Sequence, residues 1–176
     1  MAKTLIFDTT PLIYMIKVSL TESLRKLRDP KILPQGVYDE LLKGEPLGKS
    51  ESSVIHELVD DSAVKVTREI DASLVRRLIR LTADDEGKPL HRAEAEALAL
   101  AKELGGVVIS DDHAARSAAR IVQVELHGTG YLLGRTYQEG QISKEEVIKK
   151  VGEMRRLGWR LSEDDYHAIL EHLRTI

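Results

Sequence analysis

Residues 93–116 read AEAEALALAKELGGVVISDDHAAR, and this stretch decides the fold. Alanine and leucine recur at helical spacing as far as Leu104, and Gly105-Gly106 then stops the helix. The triplet Val107-Val108-Ile109 has no polar alternate, which marks a strand buried on both faces. Asp111-Asp112 follows it and opens a helix over 112–121. A helix, a buried strand and an acidic turn into another helix form the repeating unit of a parallel α/β sheet.

The same alternation extends in both directions. Residues 3–7 (KTLIF) read as a strand closed by Asp8, and Pro11 sits where the first turn of a helix tolerates it. Helices are expected over 19–27, 35–43 and 51–59, and from an Asp71 cap through Leu81, with strands at Ile32-Leu33, 63–67 and 122–126. Loops rich in Gly and Pro are expected at 44–50 and 83–89. Helical patterns over 130–138, 143–157 and 162–173 complete the chain. The sum is an α/β three-layer sandwich with a mostly parallel central sheet over residues 1–142. A helical hairpin over 143–176 packs on it.

Composition narrows the function. The chain has 176 residues, 42% of them hydrophobic and 31% charged, so it is a folded domain rather than a disordered one. Its formal charge of −3 excludes a uniformly basic coat for nucleic acid, but not an enzyme that grips nucleic acid locally. Absence of cysteine removes disulfides, zinc-thiolate sites and thiol nucleophiles. The apolar start is broken by Asp8, Pro11 and Lys17, short of the roughly 18 apolar residues of a membrane span. It also lacks a signal-peptide cleavage site, so a cytoplasmic protein with no membrane contact is expected. The absence of asparagine, with abundant Glu, Lys and Arg, fits a thermophilic source.

In open parallel sheets ligands bind beyond the carboxyl ends of the strands, and two strands here end in acid, Asp8 and Asp111-Asp112. Such acids also cap helices, and the two roles can share one site. At about 100° per residue, Leu90, Ala97, Leu98, Ala101 and Leu104 fall on one side of the helix over 91–104, with Glu94 among them. Glu96 falls on the far side with Arg92 and Glu103, so it is expected to be solvated and its replacement to matter little. On the helix over 35–43, Glu40 flanks the inward stripe of Val37 and Leu41, while Asp39 points away. A buried carboxylate needs an arginine partner or a cation. The set Asp8, Glu40, Glu94 and Asp112, with Asp111 in reserve, suits Mg²⁺ or Mn²⁺, which take all-oxygen ligands. Acids around such an ion, with no dedicated nucleophile, fit hydrolysis of a phosphodiester.

At these residues the chain resembles the PIN (PilT N-terminus) domain family, which includes the VapC ribonuclease toxins. IFDTTPLIY is similar to the family's opening strand and first acid, Asp8, and LPQGVYDELLKG to the segment of the second, Glu40. AEAEALALAKELGGVVISDDHAAR is similar to the third and fourth acid motifs, with Glu94, Ser110 and Asp112. HGTGYLL resembles a late Gly-Thr turn in an archaeal and bacterial branch, which brings Thr129 to the site. Two positions depart from the pattern: Glu94 stands where many relatives have aspartate, and Ser110 where threonine is more usual. The resemblance implies a Mg²⁺- or Mn²⁺-dependent endoribonuclease with Asp8, Glu40, Glu94 and Asp112 as catalytic acids. Asp8, Glu94, Asp112 and Asp111 hold the metal in this reading, and Ser110 and Thr129 lie against the substrate. Relatives are often the toxin of a toxin–antitoxin pair and often dimers, so RNA, a protein antitoxin and a second copy are the partners it implies.

Arginines supply the remaining substrate candidates. Arg116, one turn beyond Asp112, is placed best, and Arg76, Arg77 and Arg80 are further phosphate ligands or a solvated face. Trp159 is expected to anchor the tail. A haloacid-dehalogenase-like phosphatase needs an acid two positions after Asp8, where Thr10 stands. A phosphorelay receiver needs its acidic pair early, whereas here the pair comes late. The remaining alternative is a catalytically silent PIN-like scaffold that binds RNA or protein, and divalent-ion binding separates it from a nuclease.

Overall fold

Leu5, Ile6 and Phe7 are fully buried and form the central strand β1 (Leu5–Phe7) of a five-stranded sheet. The computed structural model describes residues 3–43, 49–83 and 89–174. The loops expected at 44–50 and 83–89 fall largely on 44–48 and 84–88, outside the described residues. The chain continues through α1 (Thr9–Lys17), α2 (Thr21–Lys26), β2 (Lys31–Pro34), α3 (Gln35–Lys43), α4 (Lys49–Asp60), β3 (Lys65–Thr67) and α5 (Ala72–Ala83). It then forms α6 (Arg92–Leu104), β4 (Val107–Ile109), α7 (His113–Val122), β5 (Glu125–His127) and α8 (Thr129–Gln138). The last elements are α9 (Lys144–Arg156) and α10 (Glu163–Arg174).

All strands are parallel, in the order β3-β2-β1-β4-β5, with Ile6 opposite Ile32 on one side and Val108 on the other. Alternation along β1 divides the core. Leu5 and Phe7 pack into a cluster with α1, α3, α4 and α8, while Ile6 and Val108 pack with α5, α6 and α7. The three-layer sandwich read from the sequence is therefore the observed fold. The sheet grows from β1 to β3 in one direction and from β4 to β5 in the other. The switch point thus lies between β1 and β4, and a crevice opens there beyond their carboxyl ends.

Local chemistry sets the element ends. Gly105 closes α6 in the left-handed conformation at φ +61°, and a Cβ on Gly106 would collide with Ile6 Cδ1. The last strand lies at 125–127 rather than 122–126, because Val122 stays helical and Gln123 takes the left-handed C-cap at φ 56°. The helix expected over 19–27 is shortened to Thr21–Lys26, with Ser19 left-handed at φ 61° before it.

The tail differs from a simple hairpin. α9 and α10 make their main contacts with α8 rather than with each other. Gly130 and Gly134 create the room for α10, since Cβ atoms there would stand 2.8 Å from Asp165 Cβ and 2.5 Å from His172 Cγ. Among the described residues, no helix is long and apolar enough to cross a membrane.

Candidate active site

The crevice at the switch point is lined by acids from four elements. Asp8 follows β1, and its N–H donates to Ile109 O at 2.9 Å, so its backbone is fixed to the end of β4. Asp8 is 5% exposed, and its carboxylate accepts from Thr9 N at 2.7 Å and from Ser110 Oγ at 2.7 Å. Ser110 Oγ in turn accepts from Asp112 N at 3.1 Å, and Asp112 caps α7 by accepting from Ala115 N at 2.8 Å. One hydroxyl therefore ties the two strand-end acids into a single frame, and buried Ser110 acts as a brace.

Glu94 enters from the first turn of α6, where its Oε2 accepts from His91 N at 2.8 Å. Glu40 enters from α3 and accepts no hydrogen bond among the described residues. Asp8, Glu40, Glu94 and Asp112 line one open cleft of about 330 Å³, together with Thr9 and His91.

The electrostatics are those of crowded acids. Burial pushes the Asp8 carboxyl above its ordinary range, with the charge of Asp112 adding to it and the Ser110 hydrogen bond opposing it. Burial, then the charge of Asp8, raises Glu40. Burial pushes Glu94 up to about 7, with Asp112 and Asp8 adding to the effect against its hydrogen bond from His91. Among the described residues, no lysine or arginine forms an ion pair with any of the four.

This donor set fits a hard divalent cation. Asp112 Oδ2, Glu94 Oε1 and both Glu40 oxygens accept no hydrogen bond from the described residues. No three acids among the described residues already converge on one point, so the cleft offers donors rather than a closed cage.

The raised Glu94 makes stability depend on pH. The folded, metal-free protein holds the Glu94 proton more tightly than the unfolded chain, so stability rises as pH falls from about 7 toward 4.5. Partial exposure screens the effect to roughly 1 kcal/mol. Glu94→Gln is expected to remove this contribution. Thermal melts in EDTA at pH 5 and pH 8 check it: the wild type should lose more stability between them than the variant.

Other expected site residues are engaged elsewhere. Asp111 borders the cleft, but its oxygens accept from Thr129 N at 2.7 Å, Thr129 Oγ1 at 2.6 Å and Trp159 Nε1 at 3.2 Å. Its carboxylate therefore fastens the tail. Thr129 is fully buried with its hydroxyl spent on that bond, so it supports the site from behind rather than facing substrate. Arg116 pairs with Asp164 of α10 at 3.1 Å, its side chain 17% exposed, so the tail engages the guanidinium expected to meet RNA.

Glu96 corrects the helix-wheel reading. It is buried, accepting from Gly36 N at 3.1 Å and Arg92 Nε at 2.9 Å. The cause is that α6 is enclosed on nearly all sides, and residues 95–101 are all buried. Leu104, placed inward by the same wheel, is 51% exposed. Thr9 and His91 each supply a backbone N–H to an acid at a helix start, a signal present in the Asp-Thr and His-x-x-Glu spacings.

A family model described as a PIN domain matches residues 4–175. No curated protein matches the chain. PIN domains are typically metal-dependent nucleases, and their substrates are generally RNA. The match takes in both acid-bearing strand ends and the α8–α10 layer, and the chain belongs to the PIN domain family.

Proposed function

We propose that the chain is a Mg²⁺- or Mn²⁺-dependent endoribonuclease with Asp8, Glu40, Glu94 and Asp112 as its catalytic acids. One observation carries the reading. Four carboxylates line the cleft at the sheet's switch point with the His91 imidazole beside them but without a lysine or arginine ion pair among the described residues, an arrangement that costs stability unless a cation occupies it.

Each acid contributes differently. Asp8, held by Thr9 and Ser110, and Asp112, held by Ala115, are rigid ligands whose positions the strand ends dictate. Glu94 keeps one oxygen on the His91 N–H and offers the other to the cleft. Glu40 lines the same cleft from α3. A bound divalent ion would supply Lewis-acid activation of water and neutralise charge at the scissile phosphate. Ser110 positions Asp8 rather than touching substrate, and Asp111 is assigned to the tail.

The test is cleavage of a mixed-sequence single-stranded RNA with Mg²⁺, Mn²⁺ or EDTA. Internal cuts that require the ion are expected. RNA left intact in every divalent ion would overturn the assignment in favour of a silent scaffold.

A further inference from the structure

A second, larger groove of about 640 Å³ shares α3 and α6 with the acidic cleft, lined there by Gln35, Gly36, Asp39, Arg92 and Glu96. Three arginines line it: Arg68 after β3, Arg76 on α5 and Arg92 on α6. Two are held by Gln35 and Glu96, which line the same groove, as does Asp39. Arg68 donates its Nε–H to Gln35 Oε1 at 3.0 Å, and Gln35 donates its amide to Asp39 at 2.8 Å. Arg92 donates its Nε–H to Glu96, which is itself seated on the Gly36 N–H. A Cβ on Gly36 would stand 2.5 Å from Glu96 Oε2, so glycine is what admits that carboxylate.

Among the described residues, the terminal amino groups of Arg68 and Arg92 donate no hydrogen bond, and neither Arg68 nor Arg76 forms an ion pair. Guanidiniums pinned through Nε with their forks free are preorganised for a phosphate, because little further side-chain freedom is lost on binding. Ile70, Val75 and Ile79 supply the aliphatic part of the groove's lining. Groove and cleft share two helices: Asp39 lines the groove and Glu40 the cleft on α3, and Arg92 lines the groove and Glu94 the cleft on α6.

We infer that this groove binds a nucleotide of single-stranded RNA flanking the scissile bond. Its phosphate lies on the forks of Arg68, Arg76 and Arg92, and its base lies on the aliphatic lining. The inference rests on the endoribonuclease reading and adds the means by which substrate is held. It explains how a chain with a net charge of −3 grips a polyanion beside an acidic centre.

The experiment measures binding of a fluorescent 12-nucleotide RNA of mixed sequence by anisotropy in EDTA, across a salt series. The proteins are wild type, the triple variant Arg68→Gln/Arg76→Gln/Arg92→Gln, Arg92→Gln alone, and Arg77→Gln. Arg77 lines a different cavity, beside Leu74 and Lys102. The triple variant should bind about 10-fold or more weakly, with the salt slope falling by about 0.7 for each lost phosphate contact. Arg92→Gln should show a smaller shift in the same direction; the Arg92 side chain is 82% exposed but partners buried Glu96, so the variant's melt in EDTA is run beside the binding to show that it is folded. Arg77→Gln should bind as wild type does. Unchanged affinity and slope in the triple variant, or no RNA binding by wild type, would overturn the subsite. Cleavage by wild type in Mn²⁺ is scored separately. RNA held through these arginines but never cut would retain the subsite and remove the nuclease reading; RNA cut without dependence on them would do the reverse.

Discussion

Asp8→Asn is expected to lower RNA cleavage by on the order of 10²–10³-fold, the scale seen when a group that stabilises transition-state charge is removed. The fold should survive. Asp8 is buried at the end of the central strand, but its backbone N–H to Ile109 O is independent of the side chain. An asparagine oxygen can still accept from Thr9 N or Ser110 Oγ, though not from both in the present geometry. Removing one negative charge also relieves the repulsion from Asp112 that helps hold the Asp8 carboxyl above its ordinary range. In EDTA the melting temperature should therefore be unchanged or raised, while the gain from added Mn²⁺ disappears. A variant with lost activity and a collapsed melting temperature would mean that Asp8 acts through the fold and not through the metal. Circular dichroism melts run beside single-turnover cleavage make that distinction.

The largest effect on stability is expected from Trp159→Ala. Trp159 is 4% exposed and packs against Tyr14 with ring centroids 6.4 Å apart. Its Nε1–H is also one of three donors to Asp111, a carboxylate that burial already destabilises. Truncation removes a large core side chain at a cost of about 3–5 kcal/mol. It also leaves Asp111 held by Thr129 alone. A fall in the urea midpoint equivalent to that range is the expected result. A change below about 1 kcal/mol would mean that the tail merely rests on the sheet domain.

Reading the sequence succeeded where the signal was local. The run from Ala93 to Arg116 contains a stop, a buried strand and a cap, and each is decided by neighbours a few residues away. Glu94 was placed by the inward face of its helix and Asp112 by the strand end it follows, and both line the cleft. Glu96 was not legible, because its partner Gly36 lies sixty residues earlier and the middle of α6, residues 95–101, is buried all round, with exposure confined to its ends. Arg116 has the same explanation in reverse. Its helix register is as expected, but Asp164 arrives from the tail. Asp111 and Asp112 are adjacent acids, and only the contacts of Thr129 and Trp159 separate a tail fastener from a cleft acid. The arginine groove was invisible for the same physical reason, since Arg68, Arg76 and Arg92 come from three separate segments.

The central claim is that the four acids hold a divalent ion, and calorimetric titration of the full chain with Mn²⁺ tests it most directly. The account predicts saturable binding in wild type that is lost in Asp8→Asn and kept in Asp39→Asn, whose carboxylate bonds to Gln35 outside the acidic cleft. Wild type that binds no Mn²⁺, or binding that Asp8→Asn leaves intact, would contradict it.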